Sequence, residues 1–231
     1  MNKEFEIEWI KSKNYHKLQP VLEKAYDHHQ MVVVIGDVGW GKSWNFEQFE
    51  SCNSNVYRDE IESVMDTSIF FNQMITKFEV KDYDSNKLFY AIRDASNVIK
   101  KLDSKSMYII DEAGNFKMSM LRHIRDFRKH TQDHAALILS GPKKPFYETL
   151  LKHAKDNKYG TKEFMSRVNR WVFLDQPTTE ELVGVFKANG FSDKDIPKLM
   201  VGCTNFRDVE NKIVNYWIDN GINPKLKQNA S

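Results

Sequence analysis

The chain has 231 residues, enough for one large domain or for a medium domain with a small appendage. Its 34 lysines and arginines stand against 32 acidic residues, so net charge marks no nucleic-acid partner and any such surface must be local. Cys52 and Cys203 lie far apart and exclude a disulfide framework or a CxxC metal site; with no long apolar run and no signal-peptide core, the composition predicts a soluble cytoplasmic protein without membrane contact.

LQPVLEKA puts Leu18, Val21, Leu22 and Ala25 on one helical face, with Pro20 expected in the first turn. Met31–Ile35, MVVVI, then reads as a buried parallel strand. It runs directly into GDVGWGKS, which fits G-x-x-x-x-G-K-[ST] and opens a helix near Lys42. Gly36, Asp37, Val38, Gly39, Trp40, Gly41, Lys42 and Ser43, followed by Trp44, form a candidate nucleotide cradle. The glycines permit tight turns that aim successive N–H groups at phosphate oxygens, and the helix adds its positive end. This chemistry suits a nucleoside triphosphate with Mg²⁺: Lys42 would reach the β- and γ-phosphates and the Ser43 hydroxyl would ligate the metal. Trp40 either packs beside the nucleotide or a neighbouring subunit, or is a surface aromatic.

A short strand is expected at Asn55 to Tyr57, cut off by the charged RDEIES. Phe71, Met74, Ile75 and Phe78 mark one helix. Asp84-Ser85 is expected to cap the next, which carries Leu88, Ile92, Ala95, Ile99 and Leu102. Both read as core packing.

SMYIIDEAG is the second chemical landmark, an apolar strand ending in Asp111 and Glu112. At the carboxyl edge of a parallel sheet such a pair can divide its work, Asp111 holding Mg²⁺ and Glu112 polarising the attacking water. Alone the pattern also describes a solvated strand end; GxxxxGKS upstream favours the hydrolytic reading. On the helix that follows, Met120, Leu121, Ile124 and Phe127 face one way, and Arg122, Arg125 and Lys129 the other. That basic face is either a contact for DNA phosphates or an ordinary solvated surface. The strand AALIL ends at Ser140, whose hydroxyl would lie near the γ-phosphate if this strand separates the first strand from the Asp111 strand.

A helix from Pro145 leads to Arg167 and Arg170, just before a last strand at Trp171 to Leu174. An arginine near a subunit boundary can neutralise transition-state charge on a neighbour's nucleotide; arginines also brace surfaces. Thr178 and Glu181 form a capping box, Ser192 with Asp195 is expected to start a second helix, and Thr204 to cap a third. That third helix has the stripe Phe206, Val209, Ile213, Tyr216 and Trp217. Arg207 opposes its dipole, which a phosphate or a neighbouring Asp208 or Glu210 would relieve. Three helices after Pro177 divide the chain into residues 1–175 and 176–231.

Together GDVGWGKS, YIIDEAG, LILSG, EFMSRVNR and TNFRDV resemble, in order and spacing, the Walker A, Walker B, sensor 1, arginine-finger and sensor 2 series of AAA+ ATPases. Within that superfamily the pattern is similar to the transposition ATPases of the MuB, TnsC and TniB type, from about Leu18 to about Trp217. The resemblance implies an α/β fold with a five-stranded parallel sheet flanked by helices and a small C-terminal helical lid. It also implies ATP held between subunits of a homo-oligomeric ring or filament on double-stranded DNA, and delivery of that DNA to a transposase. Carried over by position, Lys42 and Ser43 bind phosphate and Mg²⁺, Asp111 and Glu112 serve metal and water, and Ser140 is sensor 1. Arg167 is the better candidate for the finger, with Arg170 the other, and Arg207 is sensor 2. Two other functions share these motifs: a helicase loader or initiator, and a non-hydrolysing scaffold gated by ATP.

Overall fold

The computed structural model describes residues 6–63, 65–77, 88–101 and 105–222. Among them, β1 (Met31–Ile35), β2 (Val56–Glu60), β3 (Ser106–Asp111), β4 (Ala135–Gly141) and β5 (Arg170–Phe173) form one sheet in the order β2-β3-β4-β1-β5. Every pairing is parallel. All residues of β1, β3 and β4 are buried. Strands covered on both faces read as unbroken apolar runs, which is why these three were plain in the sequence. Parallel strands need crossovers, supplied by α2 (Lys42–Cys52), α3 (Thr67–Lys77), α4 (Leu88–Lys101), α5 (Met120–Thr131), α6 (Glu148–Lys155) and α7 (Thr161–Met165). The chain therefore has the expected α/β, five-stranded P-loop fold.

The described residues divide into two compact units. One covers 17–37 and 42–174 and contains the sheet. Its core takes the predicted stripes of α3 and α4 (Phe71, Met74 and Ile75; Ile92, Ala95 and Ile99) against Tyr108, Ile110 and Phe127. Phe70 meets Phe71 and Tyr108 edge-on at centroid distances of 5.1 and 6.4 Å, contacts that add to the area they bury. The second unit groups residues 6–16, 38–41 and 175–222. Here α8 (Thr179–Ala188), α9 (Ile196–Leu199) and α10 (Phe206–Asp219) bury Leu182, Val185, Phe186, Ile196, Val209, Ile213 and Trp217 together. Trp9 packs edge-on against Phe206 at 6.1 Å. Among the described residues no helix is long and apolar enough to cross a membrane.

Several local expectations are corrected. Helix α1 (Lys13–Asp27) begins before LQPVLEKA, because the Ser12 hydroxyl accepts the Tyr15 N–H; Pro20 therefore sits inside the helix, on its exposed side. β2 continues through the charged Arg58-Asp59-Glu60, because each early charge has a partner. Arg58 pairs with Glu47 and Glu50 of α2, while the buried Asp59 accepts the Tyr108 hydroxyl and pairs with Lys77. The Thr178–Glu181 capping box is present, and Glu181 also accepts the Lys13 N–H. Ser192 donates to Asp195, but α9 is a single turn whose N-cap is Asp195. Asn205, not Thr204, caps α10: its side chain accepts the Asp208 N–H, while Thr204 donates to the Asp208 carboxylate. Tyr216 is exposed, so the α10 stripe is narrower than expected. Arg170 is the first residue of β5 and does not precede it. Phe78, Asp84, Ser85 and Leu102 lie outside the described residues.

Candidate functional site

The carboxyl ends of β1, β3 and β4 meet at one edge. The Gly36 N–H donates to the Gly141 carbonyl at 3.1 Å, and the Asp37 carboxylate accepts the Lys143 N–H at 3.1 Å. The loop then turns through Gly39 (φ +75°) and Gly41 (φ +85°), left-handed conformations that disfavour any side chain. At the start of α2, Lys42 is buried, and its Nζ donates to the carbonyls of Gly36 (2.7 Å) and Asp37 (3.2 Å). The Glu112 carboxylate stands 4.0 Å from that ammonium. A buried ammonium held by loop carbonyls, with one carboxylate at the limit of ion-pair distance, fits a loop that receives an anion.

β4 does lie between β1 and β3, so Ser140 sits beside Asp111. The Asp111 carboxylate is a junction of three donors. Its Oδ1 accepts the Ser140 hydroxyl and the Glu112 N–H (3.0 Å), and its Oδ2 accepts the Ser43 hydroxyl at 2.7 Å. Glu112 takes a left-handed backbone (φ +51°), an uncommon conformation for a residue with a Cβ, at the turn leaving β3. Among the described residues no group of three His, Cys, Asp or Glu side chains could hold a metal. The donor set here, one hydroxyl and one carboxylate, suits Mg²⁺, which keeps waters and takes phosphate oxygens and needs no protein cage.

The tip of the loop is held by contacts that carried no signal in the sequence. The buried Asn14 donates its amide to the Trp40 carbonyl (3.1 Å) and the Asp175 carbonyl (2.7 Å), and accepts the Asp175 N–H. The Phe206 N–H donates to the Gly39 carbonyl at 3.0 Å, and a Cβ on Gly39 would collide with the Asn205 amide. These partners are separated from the loop by 26 or more residues, so no local pattern could reveal them. Val38 is exposed and Trp40 and Trp44 are half-buried. Arg207 follows Phe206 in the first turn of α10 and is exposed; the Asp208 carboxylate is already engaged by Thr204 and Asn205, which hold it below its usual range.

Arg167 and Arg170 lie at the opposite end of the sheet. The Asn169 N–H donates to the Met31 carbonyl, its amide oxygen accepts the Met31 N–H, and Arg170 is level with Val32. From Val32 to Gly36 the strand advances about 13 Å at about 3.3 Å per residue. Neither arginine meets the phosphate loop of its own chain. Arg167 is half-buried, with its Nε unpaired, and Arg170 is exposed. The neighbouring Arg128, buried, donates to the Ala135 and His29 carbonyls; burial, with some help from the Arg167 charge, pushes its pKa down to about 10.

On α5, Arg122 and Lys129 are exposed and Arg125 is half-buried. The Arg122 guanidinium lies 5.9 Å from the Tyr159 ring centre. Arg125 donates its Nε and Nη2 to the Asp126 carboxylate at 3.1 and 3.0 Å, so one of the three cations is already partly neutralised.

Residues 25–150 match the family described as AAA domain. The fold is similar to the ORC1 protein of Aeropyrum pernix, solved in complex with DNA (10% identity, TM-score 0.64, covering 92% of this chain and 62% of that one). It is similar also to Cdc6p of Pyrobaculum aerophilum (11%, 0.65, 92% and 63%) and to a DNA polymerase III gamma subunit-related protein of Thermotoga maritima (15%, 0.53, 87% and 58%). At these identities the likeness is one of fold, and this chain spans less than two thirds of the length of each of the three. No curated protein matches it. With the matched segment covering more than half of the 231 residues, on a sheet whose phosphate loop and acidic strand end stand side by side, the chain belongs to the AAA domain family.

Proposed function

We propose that this chain is an ATPase that assembles in several copies on double-stranded DNA, each nucleotide site being completed by an arginine from the next copy. The observation that carries the proposal is the separation of Arg167 and Arg170 from the phosphate loop, at opposite ends of the same parallel sheet. An arginine so placed can reach a nucleotide only on another molecule.

Bound Mg²⁺–ATP would supply the phosphoryl group and the charge that attracts it to the loop. Lys42, exchanging the Gly36 and Asp37 carbonyls for phosphate oxygens, gives that charge a fixed counterpart. Gly36 to Ser43, with Trp44 behind, line the cradle. Ser43 and Asp111 hold the cation, and Glu112, 4.0 Å from Lys42, accepts a proton from the attacking water. Arg167 of the adjacent copy neutralises developing charge, with Arg170 the second candidate, and Arg207 offers a further cation from α10. Arg122, Arg125 and Lys129 supply contacts to DNA phosphates.

The finer reading is a regulator of DNA transposition that selects target DNA and delivers it to a transposase. Its support is the run DEAG, LRHIRDFRKH, LILSGP and EFMSRV. A second reading, an initiator or helicase loader, draws on the likeness of fold to ORC1 in complex with DNA. Turnover stimulated by a transposase would favour the first, and by a helicase the second.

Mixing variants tests the shared site. Arg167→Ala and Glu112→Gln should each bind ATP and turn it over little, while their mixture recovers part of the activity. Sites with Glu112 from one copy and Arg167 from the other are then intact. A mixture as silent as its components overturns the shared-site assignment.

A further inference from the structure

We infer that Ser140 is a positioning residue for the Asp111 carboxylate, a role that does not involve reading the terminal phosphate; the inference rests on the nucleotide-site reading above. Ser140 is fully buried on β4, level with Val34 and one residue short of the strand's end at Gly141. Its hydroxyl donates to Asp111 Oδ1. A serine has one proton to give, and a phosphate oxygen only accepts. While that proton is spent on a carboxylate that is itself 1% exposed, none remains for a γ-phosphate.

The second donor on the same oxygen gives the bond its purpose. Oδ1 takes both the Ser140 hydroxyl and the Glu112 N–H, so Oδ2 is left as the oxygen that faces Ser43. The Glu112 N–H comes from a turn residue in a left-handed conformation, whereas Ser140 is anchored in the middle of the sheet. The strand therefore fixes the plane of the carboxylate, and Ser43 and Oδ2 are aligned before any cation arrives. Partners that orient a metal's ligand in this way change metal affinity roughly 10- to 100-fold when removed.

A phosphate sensor and a carboxylate clamp differ in one respect, since only the sensor needs the γ-phosphate. Mn²⁺ affinity, read by electron paramagnetic resonance, is measured on the full chain saturated with ADP and with a slowly hydrolysed ATP analogue. Ser140→Ala should weaken Mn²⁺ about tenfold or more in both complexes, with nucleotide affinity in EDTA unchanged. Ser140→Thr, which keeps the hydroxyl, should restore it. A loss confined to the ATP analogue, or no loss with either nucleotide, overturns the clamp. Should Ser140→Ala not fold, Ser140→Cys, a weaker donor of similar shape, serves instead: a partial loss in both complexes supports the clamp and none overturns it. If the unaltered chain binds neither nucleotide, the nucleotide-site reading fails first and the clamp fails with it.

Discussion

Replacing Gly39 by alanine, alone and together with Asn205→Ala, tests how the loop tip is held. Gly39 has φ +75°, where a Cβ costs about 1–2 kcal/mol. That Cβ would also strike the Asn205 amide, whose oxygen accepts the Asp208 N–H at 3.1 Å and caps α10. Displacing the cap adds about 1 kcal/mol, so Gly39→Ala should cost about 2–3 kcal/mol. Asn205→Ala alone removes the cap together with the amide's bond to the Asp208 carboxylate, at about 1 kcal/mol. In the double variant the amide is already absent. The total should fall short of the sum of the single costs by about 1 kcal/mol, a coupling of the size expected for residues in contact. Urea unfolding followed by circular dichroism, with midpoints compared at constant slope, measures all four corners of the cycle. A Gly39→Ala cost below about 0.5 kcal/mol, or single-variant costs that add within about 0.3 kcal/mol, would refute the packing of Asn205 against the loop.

Two further measurements address the basic helix and a buried acid. Each phosphate contact contributes about 0.9 to the slope of log affinity against log salt, so Arg122→Ala with Lys129→Ala should flatten it by about 1.8. Arg125→Ala should add less than a full contact, because Asp126 already engages it; an unchanged slope would return α5 to ordinary solvated surface. Burial raises the pKa of Asp59 more than Lys77 lowers it. The folded state thus prefers the protonated acid: the stabilising contribution is complete below the usual pKa and is lost as pH rises through the elevated one. Asp59→Asn should accordingly gain stability relative to the unaltered chain as pH rises above about 4, the usual carboxylate range. Parallel melting curves across that range would contradict the assignment.

Local chemistry made much of this protein legible. MVVVI before GDVGWGKS and MYII before Asp111-Glu112 are apolar because both faces of those strands are covered, and the phosphate loop announces itself through glycines that its backbone needs. The capping box at Thr178 and Glu181 is equally local, its two bonds spanning three residues. Where a charge or proline found a distant partner, the reading went astray. Arg58 and Asp59 stay in the strand because Glu47 and Glu50 receive the first and Tyr108 and Lys77 the second, and Pro20 is tolerated mid-helix because Ser12 begins the helix earlier and the proline faces outward.

By itself, then, the sequence determined most of the strands and helices around the phosphate loop, and the motifs Gly36 to Ser43 and Asp111-Glu112 from which phosphate and metal roles are proposed. These follow from spacing along one stretch of chain. Only the tertiary structure decided what those side chains spend their protons on and which end of the sheet they occupy. Asn14 reaches Trp40, Ser140 gives its proton to Asp111, and Asn169, between Arg167 and Arg170, is bonded to Met31 at the end of β1 remote from the loop. Strand order is set by pairings between residues far apart in the chain, so the distance from Arg167 to the phosphate loop is a property of the sheet and of no segment within it.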